Sequence, residues 1–182
     1  MSPFTHPRLA SVAAFLDEIR DGLAAVVTSS PAASLTTVPA GGGWSGAQII
    51  QHLGKAEGST AKFLEGAFAA AIAGGLVDET ETTSVLGSLD RYRIDDRTLR
   101  PLVAPERVRP DSEPDLEASW TSLVAVRART YRAFATVDGK ALESVSAPHP
   151  LLGPLNGYEW LLFLGLHEQR HLGQLRALAG GK

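Results

Sequence analysis

Leu9, Val12, Leu16, Ile19, Leu23 and Val27 recur every three or four positions, separated mostly by small or charged residues. That spacing draws one apolar stripe along a helix over residues 7–28. A second set, Ile49, Ile50, Leu53, Phe63, Leu64 and Phe68, covers a wider arc and predicts a largely buried helix over 45–73, with Ser45 as its N-cap. Leu116, Trp120, Leu123, Thr130 and Phe134 mark one face of a third helix over 113–137, with Pro114 in its first turn. A fourth helix runs over 156–179 and is ended by Gly180 and Gly181. Between them, "SSPAASLTTVPAGGGW" and "GKALESVSAPHPLLGPLN" are rich in breakers and read as loops. Residues 74–111 break into short pieces carrying Arg91, Arg93, Arg97, Arg100, Pro101, Pro105 and Pro110, and form a long connection. No segment alternates as a strand would. The chain is therefore expected to be all-α, a four-helix bundle with long connections.

Composition narrows this picture without changing it. A chain of 182 residues is enough for one domain, 1–182, with a real core. A formal net charge of −3 gives no reason to expect nucleic acid or an anionic membrane as partner. The sequence has no cysteine, which excludes disulfides and thiolate ligands, so any thiol in its chemistry must arrive with a substrate. Asp17, Glu18 and Arg20 interrupt the N-terminal stretch before a signal-peptide apolar region can form. "FAAAIAGGLV" is too short and glycine-rich to span a bilayer. A soluble, cytoplasmic protein is the expectation.

The candidate chemistry lies in "HEQRH", His167 to His171, which spells the H-E-x-x-H pattern of zinc proteases. His167 and His171 are one helical turn apart, about 40° on the wheel, and share the face of Trp160, Phe163, Leu164, Gln174 and Leu178. His52 sits on a comparable face of the second helix, beside the small residues Ala56 and Ser59. Hydrogen-bonded core histidines are one reading of such positions. A metal site is the other, because burying two imidazoles one turn apart is costly unless something pairs with them. The protease reading fails for lack of ligands. After His171 the chain reads "LGQLRALAGGK", with no histidine or acid to serve as a third ligand, and no strand is available to hold an extended peptide. A third ligand has to come from upstream, where His52 is the best-placed residue.

Three stretches resemble the DinB-like (YfiT-like) metal-dependent enzymes: "WSGAQIIQHLGKAE" at Trp44 to Glu57, "HPLLGPLNGYEWLLF" at His149 to Phe163, and "HEQRHLGQL" at His167 to Leu175. The first is similar to the family's W-S-x-x-x-I-x-x-H-L helix start and the last to its H-x-x-x-H-x-x-Q helix. The resemblance implies a four-helix bundle holding a divalent metal, zinc or nickel, on His52, His167 and His171. It also implies chemistry on small molecules, since some relatives transfer low-molecular-weight thiols to electrophiles. The leading expectation is a thiol-dependent S-transferase whose partners are a small thiol and an electrophile, with a homodimer left open. A hydrolase with Glu168 as base and a non-catalytic metal-binding stress-response protein are the alternatives.

Four further residues bear on the choice. Arg127 falls about 20° from the centre of the third helix's apolar face, so it must be paired. An internal ion pair with Glu57 and a catalytic anchor for a substrate carboxylate or phosphate are both open. Gln174, one turn after His171, could support a ligand histidine or close the helix end. Glu168 serves as general base in the hydrolytic reading, or pairs with a surface arginine. His149 lines the pocket mouth or holds a turn.

Overall fold

The apolar stripes become the long helices of a computed structural model, which describes residues 2–98 and 103–180. Its helices are α1 (Pro7–Ser29), the short α2 (Ala32–Thr36), α3 (Gly46–Ala73), α4 (Leu116–Ala135) and α5 (Gly157–Gly180). Arg100 and Pro101, part of the expected long connection, and Gly181, expected to help end the last helix, lie outside the described residues, while Gly180 is still within α5.

Helix starts follow local hydrogen-bond supply. Ser45 closes a capping box on α3: its Oγ accepts from the Gln48 N–H at 3.2 Å, and Gln48 Oε1 accepts from the Ser45 N–H at 2.9 Å. On α4 the cap is Asp115, which accepts from the Ala118 N–H at 2.7 Å. Pro114 therefore precedes the cap instead of occupying the first turn, because it is the carboxylate that satisfies an otherwise unpaired N–H.

α1 packs chiefly on α5, and α3 on α4. The first pair comes close because Gly165 and Gly22 face the partner helix. A Cβ at Gly165 would lie 2.6 Å from Phe15 Cε1 and 2.7 Å from Leu16 Cδ1, and one at Gly22 would lie 2.8 Å from Leu172 Cδ2. α3 and α5 approach each other much less closely.

The core is split into two apolar clusters. One gathers Leu9, Leu16, Phe68, Phe134, Tyr158 and Leu161, and the other Leu23, Leu35, Ile50, Leu53, Leu123 and Leu175. Between them, at one level of the bundle, lie Arg20 of α1, Glu57 of α3, Arg127 of α4 and Glu168 of α5. Arg127 Nε and Arg20 Nη2 donate to the two oxygens of Glu57 at 2.8 and 3.0 Å. Arg20 Nε and Arg127 Nη2 donate to the two oxygens of Glu168, each at 2.5 Å. Two cations and two anions thus cancel within a layer that water barely reaches.

The loops hold more structure than their composition predicts. Ser146–His149 (β1) pairs antiparallel with Gly153–Asn156 (β2), with Ala147 opposite Leu155 and Pro148 opposite Pro154. Two facing prolines and four-residue strands erase the alternation that would mark a hairpin in sequence. Ala147 and Leu155 turn inward, and Trp160 Nε1 donates to the Ala147 carbonyl at 3.2 Å, which seats the hairpin on α5. At the far end, buried Arg8 donates to Glu79 at 2.8 Å and Glu143 at 2.5 Å, while the Tyr158 hydroxyl donates to Glu79 at 2.8 Å. This second ionic cluster ties the start of the long connection to the bundle.

Candidate metal centre

His52 enters from the second turn of α3, and His167 and His171 from successive turns of α5, so the three rings meet across the wider α3–α5 seam. The Nε2 atoms of His52 and His167 are 3.3 Å apart, and those of His167 and His171 are 3.2 Å apart. His52 and His171 are buried, while His167 stays partly exposed.

The opposite ring nitrogens are already committed. His52 Nδ1 donates to the Val108 carbonyl at 2.8 Å, and His171 Nδ1 donates to Gln174 Oε1 at 2.6 Å. A carbonyl or amide oxygen only accepts, so both Nδ1 atoms carry the proton and both Nε2 atoms present a lone pair towards His167. A proton on His167 Nε2 satisfies one of those lone pairs at a time. A cation satisfies all three nitrogens together. The spacing fits as well: nitrogen ligands at about 2.0–2.1 Å around a tetrahedral ion stand about 3.3 Å from one another. The three histidines are thus compatible with a divalent metal site.

Electrostatics agree. Burial, followed by the neighbouring His52, lowers the His171 pKa to about 3. Burial lowers His52, opposed by its bond to Val108, and pushes His167 well down, reinforced by the adjoining imidazoles. The rings are therefore neutral at neutral pH, the form that binds metal.

Aromatic rings flank the cluster on two sides. Trp44 lies 4.8 Å from His52 and stacks 6.4 Å from His171, between centroids. Phe163 stacks on His167 at 5.6 Å with an interplanar angle of 11°.

The remaining candidates are placed as follows. Gln174 touches His171 and orients it. Glu168 points into the ionic layer, where both oxygens are held by buried or nearly buried guanidinium groups, so it is neither a free base nor the partner of a surface arginine. Arg127 forms the ion pair with Glu57 and a second one with Glu168. Burial alone would lower its pKa, but the charges of Glu57 and Glu168 outweigh that and hold it raised. Its Nε and Nη2 are thus committed to carboxylates, while its Nη1 is buried without a hydrogen-bond partner among the described residues. His149 holds a turn, its Nδ1 accepting from the N–H groups of Leu151 and Leu152 at 3.2 Å each, and its ring packs on Phe163 at 4.4 Å.

Two contributors escaped the sequence reading. The Val108 carbonyl is main chain, so no residue type signals it. Arg20 looks like any charged residue of an amphipathic helix, and only its reach inward to Glu57 and Glu168 reveals its role.

Residues 16–175, from within α1 to the end of the histidine-bearing stretch of α5, match the family model described as the DinB superfamily. The chain belongs to the DinB superfamily. Among solved structures, this DinB-superfamily chain is similar to TT2238, described as a four-helix bundle protein. The TM-score is 0.61 at 21% identity, over 92% of this chain and 97% of that one. At that identity the likeness shows the fold alone. No curated protein sequence matches at a significant level. Among the described residues no helix is long and apolar enough to cross a membrane.

Proposed function

We propose that this DinB-superfamily protein is a metal-dependent transferase that joins a small thiol to an electrophilic carbon. The observation that carries the reading is the convergence of three imidazole Nε2 atoms, with the Nδ1 atoms of His52 and His171 already bonded elsewhere. His52, His167 and His171 would hold the divalent cation, zinc or nickel. Such a cation supplies Lewis acidity, which favours loss of a thiol proton at neutral pH.

The chain's own residues do the rest. The Val108 carbonyl and Gln174 fix the tautomer and angle of two rings. Trp44 and Phe163 flank the cluster with apolar surface and keep bulk water from its sides. The chain has no cysteine, so the sulfur nucleophile comes from a cosubstrate. In the transfer a sulfur lone pair forms the C–S bond, the leaving group departs with its bonding pair, and the thiol proton passes to solvent. Hydrolysis with Glu168 as base is disfavoured, because both of its oxygens are committed to arginines.

The test combines metal analysis with turnover. About one divalent ion per chain, lost in His52→Ala, is expected. 1-Chloro-2,4-dinitrobenzene should be consumed only when a low-molecular-weight thiol is added. Consumption without thiol would move the assignment to hydrolysis. Bound metal whose removal lowers thermal stability, with no turnover by any thiol tried, would make the site structural.

A further inference from the structure

His52 and His167 meet at one point of the α3–α5 seam, with ring centroids 5.2 Å apart, and Phe63 and Trp160 meet at another, 5.7 Å apart. Between these points α3 presents only the small side chains of Ala56 and Ser59, and α5 presents Phe163. All three are partly exposed. Phe63 itself is 42% exposed. The seam is therefore a trough beside the histidine cluster, walled by aromatic rings and partly reached by solvent.

One end of this trough carries unanswered hydrogen-bond donors. Arg107, in the turn Glu106–Val108, is exposed, and its described side-chain bond is to Ser59 Oγ at 3.3 Å. No described ion pair involves it. His149, buried at 8% exposure, uses its Nδ1 lone pair to accept two backbone N–H groups, so its proton sits on Nε2. That Nε2–H has no partner among the described residues, and its ring leans on Phe163 and Trp160. The Arg107 charge is felt at His149, where after burial it is the next cause holding the ring neutral. Aromatic walls and two free donors in one trough match a flat ring that bears one anionic group.

We propose that the α3–α5 trough binds a small aromatic carboxylate, with its ring against Phe63 and Phe163 and its carboxylate facing Arg107 and the His149 Nε2–H. The inference rests on the transferase reading in one respect: it makes this molecule the class of electrophile presented to the thiol. Its binding needs neither metal nor thiol.

The test uses metal-free protein and two unreactive probes, 3,5-dinitrobenzoate and neutral 1,3-dinitrobenzene, followed by quenching of tryptophan fluorescence. Saturable quenching by both is expected, with the benzoate binding more tightly. Phe63→Ala should weaken both probes about tenfold. Arg107→Gln should weaken the benzoate about fivefold and leave the neutral probe unchanged. The proposal is overturned if quenching does not saturate, if Phe63→Ala binds both probes as wild type does, or if Arg107→Gln affects both equally. Intact probe binding with no thiol-dependent turnover would instead count against the transferase reading and leave the trough standing.

Discussion

Glu168 Oε2 accepts a 2.5 Å hydrogen bond from Arg127 Nη2, one position along α5 from a histidine of the candidate metal centre. The residue that makes "HEQRH" look like a protease thus faces the core, while its neighbours face the seam. The neutral variant Glu168→Gln should keep the full metal complement and lose folding stability. Removing one member of a buried, paired set costs about 3–5 kcal/mol, because the remaining guanidinium groups are left under-compensated. Urea melts alongside metal analysis check this. A variant as stable as wild type but inactive would show that Glu168 acts in chemistry after all.

Gln174 should act on affinity and not on occupancy at saturation. Gln174→Leu removes the acceptor that holds the His171 Nδ1 proton, and loss of such a contact typically weakens metal binding about 10–100-fold. Competition with a chromophoric chelator measures the change. Unaltered affinity would mean that His171 is oriented by packing alone.

The pH dependence of the metal-free protein follows from its buried rings. His171 titrates near 3 when folded against 6.5 when free. Between those values the unfolded chain binds more protons than the folded one, so stability rises with pH across the window. The contribution of His171 is complete above about 6.5 and declines as pH falls towards 3, by at most about 1.4 kcal/mol per pH unit. His52 and His167, also shifted downward, add in the same direction. Denaturation midpoints between pH 7 and pH 5 should therefore fall more steeply for the wild type than for His171→Gln. Parallel curves would refute the contribution.

Gly165→Ala tests the close approach of α1 and α5. The added methyl meets the ring of Phe15 and the side chain of Leu16, and overpacking of this kind costs about 1–3 kcal/mol. A lowered Tm is expected. An unchanged Tm would show that Phe15 can swing away freely.

The sequence made the bundle legible because each long helix buries a continuous stripe, and a 3.6-residue period survives any detail of packing. It also placed His52, His167 and His171 on inward faces, since helical geometry alone puts residues one turn apart on one side. Arg127 was readable as paired, and Glu57 as its partner, because a charge on an apolar arc needs a reason. Arg20 was not readable: its position on α1 is compatible with solvent, and only a long side chain bending inward carries it to the ionic layer. The β1–β2 hairpin was hidden by Pro148 and Pro154. α2 was hidden by its length, five residues set within a loop rich in small and turn-forming residues.

The contact between His52 and the Val108 carbonyl places an unusual constraint on the chain. Side-chain substitutions along residues 105–110 leave a main-chain acceptor in place, so most of them are invisible to the histidine. An insertion, a deletion or a new proline that shifts the backbone would move that oxygen and free the ring to turn. At this point the site restricts the length and path of a loop and leaves its spelling open to drift.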